Sequence, residues 1–348
     1  MTTRLIHHSD SPDFEKELEY AAEVIRSGGL VVFPTETVYG LGADATSETA
    51  AEKIYLAKGR PSDNPLIIHI AKPEDATPYA YTDECFFKLA EAFMPGALTV
   101  VLPAKPTIPE RTRAGLDTVA VRCPENPIAR RLIELSGVPI AAPSANLSGS
   151  PSPTRPEHVI ADMSGRADVI IDGGECDIGI ESTIIKLNPD GGAILLRPGR
   201  ITEQMLLPHL KYLKVAPAVT DALKEGEVAL SPGMKYRHYA PRAPLYLVSG
   251  DSTRFLEYLK SRPQSLRIAV IAYDGEGRPF EDVKNVSLFS FGGREDELYQ
   301  AHLLFDLLRR IDLLDYDEIY APLPRAEGIG LALYNRMIRA AAHQIIRM

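Results

Sequence analysis

Two cations at the end of a helical stretch, Lys58 and Arg60, are the first side chains of this sequence whose spacing suggests chemistry. A polar turn follows, Ser62-Asp63-Asn64-Pro65, and then an apolar run from Leu66 to Ile70 with His69 inside it. Upstream, the apolar run Leu30 to Phe33 breaks at Pro34 into hydroxyls and glycines: Thr35, Thr37, Tyr39, Gly40 and Gly42. Small polar groups at a strand end and paired cations at a helix end suit a small ligand that carries phosphate. Each residue also has a plainer reading. A lysine at a helix C-terminus complements the helix dipole, Gly59 serves as a left-handed cap with Pro61 as a stop, and a histidine in an apolar strand is commonly a core residue. Three polar clusters in so short a stretch exceed what a helix-to-strand turn needs.

Similar groups recur at later strand ends. Arg122 closes the run Thr118 to Arg122, just before Cys123-Pro124. A surface arginine is the plain reading there, but a guanidinium fork at that point suits a carboxylate. Val138 to Ala142 breaks into Pro143-Ser144-Ala145-Asn146-Leu147-Ser148-Gly149, where Ser and Asn two apart are by themselves ordinary turn residues. Ser152 follows in the same loop, which Pro153 and Pro156 stiffen. Ser182 and Thr183 open the run ending at Leu187, and Ala193 to Leu196 leads into Arg197. Strand ends gathered on one side of a sheet build a cleft.

The stretches PTETVYGLGADA and KGRPSDNPLIIHI closely resemble the YrdC-type threonylcarbamoyl-AMP synthases, over roughly residues 14 to 200. The linker and tail resemble the long, two-domain branch of that family. The resemblance implies a large twisted mixed α/β sheet with helices and a concave groove, plus a smaller C-terminal Rossmann-like α/β domain. It implies a reaction of L-threonine, bicarbonate or CO2, and ATP, giving L-threonylcarbamoyladenylate and pyrophosphate, with Mg2+ accompanying the ATP. By the same resemblance Lys58 and Arg60 are the catalytic cations. They contact ATP together with Asn64, Thr118, Ser144, Asn146, Ser152, Arg197 and Tyr236. Thr37, His69, Arg122, Ala142 and Ser182 hold threonine, and no protein residue is assigned as a metal ligand. The product serves a separate tRNA threonylcarbamoyl transferase complex that modifies the adenosine beside the anticodon. On this reading, losing Lys58 or Arg60 costs activity and little stability.

Helices and strands must bring these groups together. Ser11-Pro12 opens a helix, with Phe14, Leu18, Ala21, Ala22 and Ile25 at helical spacing. Further helices are expected over about 47–58, 83–93 and 127–136. Strands are expected at 30–33, 66–70, 97–102, 118–122, 138–142, 169–171, 183–187 and 193–196. The expected organisation is a catalytic domain over 1–210, a linker or lid over 211–242 and an α/β domain over 243–348. The linker centre, Ser231 to Pro241, is too aromatic and basic for a plain spacer. It resembles a cover over the active site. In the last domain, strands at 245–248, 267–272, 286–289 and 318–321 alternate with helices at 252–261, 295–313 and 329–346, which argues for a mostly parallel sheet. Gly328-Ile329-Gly330 is a weak dinucleotide signal, since the third glycine is missing and no βαβ continuation is expected after it. Close helix packing is the preferred reading there.

Composition bounds the remaining classes. The 348 residues, 45% hydrophobic and 24% charged, suffice for two domains with cores of their own. A formal net charge of -9 argues against strong direct binding of nucleic acid. It also weighs against the rival class, a regulatory module that holds double-stranded RNA or a nucleotide without turnover. No membrane span or secretory signal is expected. The cysteines, Cys85, Cys123 and Cys176, are far apart and odd in number, which suits a reducing cytoplasm.

Overall fold

The computed structural model describes residues 2–221 and 239–348. The described chain falls into two compact units, one running to residue 221 apart from 149–151, the other formed by 149–151 and 239–348. The first unit carries strands β1 (Arg4–His7), β2 (Val31–Phe33), β3 (Gly40–Asp44), β4 (Ile67–His69), β5 (Leu98–Pro103) and β6 (Thr118–Arg122). Strands β7 (Ile140–Ala141), β8 (Val169–Asp172), β9 (Thr183–Leu187), β10 (Ala193–Arg197) and β11 (Leu213–Val215) follow. Its helices are α1 (Pro12–Arg26), α2 (Glu48–Lys58), α3 (Glu84–Phe93), α4 (Pro127–Ser136), α5 (Pro156–Met163) and α6 (Glu203–Leu206). The strands form one mixed sheet in the order β1-β8-β2-β3-β7-β4-β6-β5-β9-β10-β11.

Local chemistry sets the helix ends. Ser47 caps α2 by accepting the Ala50 N–H, and Gly59 ends it in the left-handed conformation at φ 61°. The Arg60 N–H then reaches back to the Tyr55 carbonyl, so the chain turns sharply with both cations at the turn. Asn126 caps α4 by accepting from Ile128 and Ala129. Leu18, Ala21, Ala22 and Ile25 of α1 pack with Ile128, Ala129, Leu132 and Ile133 of α4 against Phe33, Ile140 and Ala142 of the sheet. A second apolar cluster, Ile67, Val101, Ala120, Ile184 and Leu196, lies across β4, β5, β6, β9 and β10.

The structure departs from the sequence reading at several elements. Gly40–Asp44, read as a glycine-rich break, is a strand antiparallel to β2, with Val31 opposite Gly42. Glycine is needed there, because a Cβ on Gly42 would stand 2.6 Å from Ile140 Cγ2 and 2.7 Å from Phe33 Cε1. The strand expected over 138–142 shortens to Ile140–Ala141. The stiffened loop contains α5, whose first residue is Pro156. The expected linker begins with sheet structure, as Leu213–Val215 pairs in parallel with Ala193–Leu195. Residues 222–238 of the expected lid, Tyr236 among them, lie outside the described residues.

The second unit holds β12 (Leu245–Ser249), α7 (Ser252–Ser261), β13 (Ile268–Ala272), β14 (Val286–Ser290), α8 (Glu297–Asp312), β15 (Glu318–Pro322), α9 (Gly328–Ala340) and β16 (Ile345–Arg347). The strands are all parallel, in the order β14-β13-β15-β12-β16. The last helix is shorter than the sequence suggests. Ala342 and His343 turn to φ 48° and 62°, and β16 pairs with β12. A βαβ continuation therefore does follow Gly328-Ile329-Gly330. Helix packing still explains Gly330, where a Cβ would meet Glu297 Oε1 at 2.7 Å and the Arg325 carbonyl at 2.8 Å.

Candidate active site

The site is built along one row of the sheet. His69 on β4 stands in register with Arg122 on β6, and Arg122 with Thr99 on β5. Residues in register share a face, so three strands present His, Arg and Thr side by side. One pleat along, Ile67, Ala120 and Val101 belong to the apolar cluster, which gives the polar row a dry border. All three polar side chains are buried. Thr99 Oγ1 lies 2.7 Å from Ser182 Oγ, which extends the row to the entry of β9. Arg197, at the end of β10, donates from Nε to the Ser182 carbonyl at 3.0 Å and from Nη2 to Ser182 Oγ at 3.2 Å. Sequence reasoning passed over Thr99, which lies inside a run that reads as plain buried strand.

His69 is neutral. Burial, and then the charge of Arg122, push its pKa down to about 3. Its Nδ1 lies 3.3 Å from the Ile140 carbonyl, which can only accept. Nδ1 therefore carries the proton and Nε2 is left as an acceptor. Thr37 lies against Thr35. Thr35 Oγ1 donates to the Val38 carbonyl at 2.7 Å and accepts the N–H groups of Thr37 and Val38, both at 3.2 Å, with Thr37 Oγ1 2.8 Å away. The Ala142 N–H already donates to Ile67, which leaves its carbonyl as the group a ligand can meet.

Arg122 provides the opposite polarity. Its Nε donates to the Gly96 carbonyl at 3.4 Å and its Nη2 to Glu36 Oε1 at 2.7 Å. Both Nη1 protons and the second Nη2 proton have no protein partner among the described residues. Glu36 is also missing from the sequence reading. It is the one charged side chain between Thr35 and Thr37, and a carboxylate among hydroxyls was the available signal.

The cation cluster lies at the turn after α2. Lys58 Nζ donates to the Ser144 carbonyl at 2.5 Å and the Asn146 carbonyl at 2.6 Å, with Asn146 Oδ1 at 3.4 Å. Ser144 Oγ donates to Asn146 Oδ1 at 2.5 Å, and the Ser148 N–H returns to the Lys58 carbonyl at 3.0 Å. Lys58 and the Ser144–Asn146 loop thus form one unit, so Lys58 carries structure as well as charge. These bonds argue for a larger stability cost on losing Lys58 than the sequence alone suggests. Arg60 Nη2 donates to the carbonyls of Asn64 and Pro65 at 3.2 and 3.4 Å. Asn64 is 0% exposed, and among the described residues neither its Oδ1 nor its Nδ2 has a partner. A buried amide left unpaired is costly, so a ligand that pairs with it is the simplest explanation.

Two further expected contacts, Thr118 and Ser152, lie along β6 and next to Ser182. Thr118 is at the far end of β6 from Arg122, on the same face and about 13 Å along the strand. Ser152 Oγ donates to Glu181 Oε1 at 2.5 Å, a buried carboxylate beside Ser182. Among the described residues, no group of three or more His, Cys, Asp and Glu is placed to hold a metal ion.

A family model described as "Telomere recombination" (Sua5_yciO_yrdC) matches residues 23–199, and one described as "Threonylcarbamoyl-AMP synthase, C-terminal domain" matches residues 201–342. The chain belongs to the Sua5/YciO/YrdC family. Among curated relatives, the threonylcarbamoyl-AMP synthase of Bacillus subtilis is 43% identical, over 96% of this chain and 95% of its own. The enzyme of that name from Pyrococcus abyssi is 44% identical over 96% of each. A solved structure of P. abyssi Sua5 complexed with L-threonine is similar at a TM-score of 0.89 and 41% identity, covering 100% of both chains. Membership extends over both units, because the two family models cover nearly the whole chain.

Proposed function

We propose that this chain is a threonylcarbamoyl-AMP synthase, a nucleotidyltransferase that joins L-threonine, bicarbonate or CO2, and ATP, releasing pyrophosphate. One observation carries the reading. The buried polar row sets the neutral acceptor of His69 beside the unspent donors of Arg122, the complement of an amino acid's amine and of its carboxylate. The relative solved with L-threonine, 41% identical over the full length, supports it.

In this reading the neutral amine of threonine adds to CO2 and loses a proton to give a carbamate. A carbamate oxygen attacks the α-phosphorus of ATP, the bond to the β-phosphate oxygen breaks, and pyrophosphate leaves. Supplied as bicarbonate, the CO2 also brings one water that is released. No protein nucleophile is needed, so catalysis comes from positioning and charge. Arg122 takes the threonine carboxylate, with Thr37, His69, Ser182 and the Ala142 carbonyl around the rest. Lys58, Arg60 and Arg197 offset the triphosphate charge, with Asn64, Ser144, Asn146, Ser152 and Thr118 along the nucleotide. Tyr236 belongs to this proposal from the sequence alone. Mg2+ bound with the ATP would add neutralising charge at the phosphates that Lys58, Arg60 and Arg197 offset.

The product then serves the separate transferase that modifies adenosine 37 of ANN-decoding tRNAs. A net charge of -9 suits hand-over to that partner better than a firm grip on RNA by this chain. The three free cysteines suit the reducing cytoplasm. No helix of the described residues is long and apolar enough to cross a membrane.

The test is pyrophosphate release from ATP with threonine and bicarbonate each omitted in turn, and mass detection of the adenylate. Release is expected only with both present. Turnover that ignores threonine overturns the proposal, and stable nucleotide binding without turnover returns the chain to the binding-module class.

A further inference from the structure

Glu36 is a buried carboxylate to which the substrate assignment gives no role. Its Oε1 accepts from Arg122 Nη2 at 2.7 Å, and its Oε2 accepts the backbone N–H groups of Glu125 at 3.1 Å and Asn126 at 3.4 Å, where the chain enters α4. Its own carbonyl accepts the Ile178 N–H at 2.8 Å. Side chain and main chain are thus both anchored. An arginine head has many rotamers open to it, and fixing them is an entropic cost that a bound ligand otherwise bears. Here Glu36 and the Gly96 carbonyl fix the guanidinium plane before any ligand arrives, and they leave the Nη1 edge unspent.

We propose that Glu36 is a positioning residue for the amino-acid substrate, acting through Arg122. It holds the guanidinium in the orientation that receives the substrate carboxylate, and it balances the buried charge of Arg122 while the site is empty. The inference rests on Arg122 being the group that takes that carboxylate. The rival idea is that Glu36 merely stands in for the substrate and is displaced by it. The backbone N–H groups of Glu125 and Asn126 oppose this, because they hold Glu36 independently of Arg122 and would lose their acceptor if it left.

The test uses the full-length chain and measures KM for threonine and for ATP separately. In Glu36→Gln one oxygen serves either Arg122 or the two backbone N–H groups, and the amide NH2 must face a donor on the other side. The expected result is a threonine KM roughly 10- to 100-fold higher, from a lost charged hydrogen bond, with the ATP KM changed less than about 2-fold. In Glu36→Ala, added formate is expected to lower the threonine KM again by replacing the missing carboxylate; this arm serves if the glutamine variant folds poorly. A threonine KM that is unchanged or lower in Glu36→Gln overturns the proposal, the latter by favouring displacement. Equal rises in both KM values also overturn it, since they mark a merely structural role. Arg122→Ala separates the two layers. If it leaves the threonine KM unchanged, the assignment of Arg122 fails and the proposal with it; if it raises that KM while Glu36→Gln does not, only the role of Glu36 fails.

Discussion

Replacing Lys58 by methionine keeps most of the aliphatic stem and removes the ammonium. In the structure that ammonium lies 2.5 Å from the Ser144 carbonyl and 2.6 Å from the Asn146 carbonyl. Hydrogen bonds to a charged group contribute about 1.5–3 kcal/mol each, and the carbonyls left behind are partly buried. Relief from desolvating a cation offsets part of the loss. The expected net cost is roughly 2–4 kcal/mol. For a unit of this size, each kcal/mol shifts Tm by about 2–4 °C, so the transition of the first unit should fall by roughly 4–16 °C. Calorimetry on the full chain reads this, and hydrogen exchange at the Ser148 amide, bonded to the Lys58 carbonyl, should quicken. Pyrophosphate release should also drop by tenfold or more, about what losing one charge-assisted phosphate contact costs. Arg60→Met is the control. Its bonds to the Asn64 and Pro65 carbonyls are longer, 3.2 and 3.4 Å, so it should lose activity with a smaller fall in Tm. A Lys58→Met protein that melts within a degree of wild type, or an Arg60→Met protein that loses more stability, refutes the view that Lys58 builds the Ser144–Asn146 loop.

Asn64→Leu removes an amide that is buried without partners among the described residues, so it should stabilise the ligand-free protein by about 1 kcal/mol while weakening ATP binding; a loss of stability in urea titration would count against a ligand role for the amide. His69 has a pKa of about 3 folded against 6.5 free, so it contributes stability that is complete above the free value and lost as pH falls. Between pH 6.5 and 3 that loss is about 1.4 kcal/mol per pH unit, and His69→Gln should flatten this part of the urea midpoint-versus-pH curve. Because neutral His69 persists through the working range, the threonine KM should show no step near pH 6.5; a step there would mean that the ring ionises. Serine should replace threonine with kcat/KM roughly 10- to 200-fold lower, since only a methyl separates them, and a much larger gap would reveal a further selective contact.

Much of this protein was legible from the chain alone, because the signals are local. Ser11, Ser47, Asp83 and Asn126 each accept backbone N–H groups of the helices they open, and Gly59 closes α2 as its type requires. The apolar run Thr118–Arg122 is a strand over just those residues. The quoted motifs carried the family, and the family carried the activity. What local signals cannot carry is pairing. Gly40–Asp44 becomes a strand because Phe33 and Ile140 leave room only for glycine, a fact of packing between segments about a hundred residues apart. Ile345 and Ile346 read as the end of a helix until β12 offers them an edge. The chemistry of the site divides in the same way. Sequence named Arg122, His69, Thr37 and Lys58. Only the tertiary structure buried His69 beside Arg122 and so made it neutral, set Thr37 against Thr35, tied Lys58 to the loop at Ser144, and placed Glu36 against Arg122. Residue types fix which donors and acceptors exist, whereas register and burial decide which of them are left for a ligand.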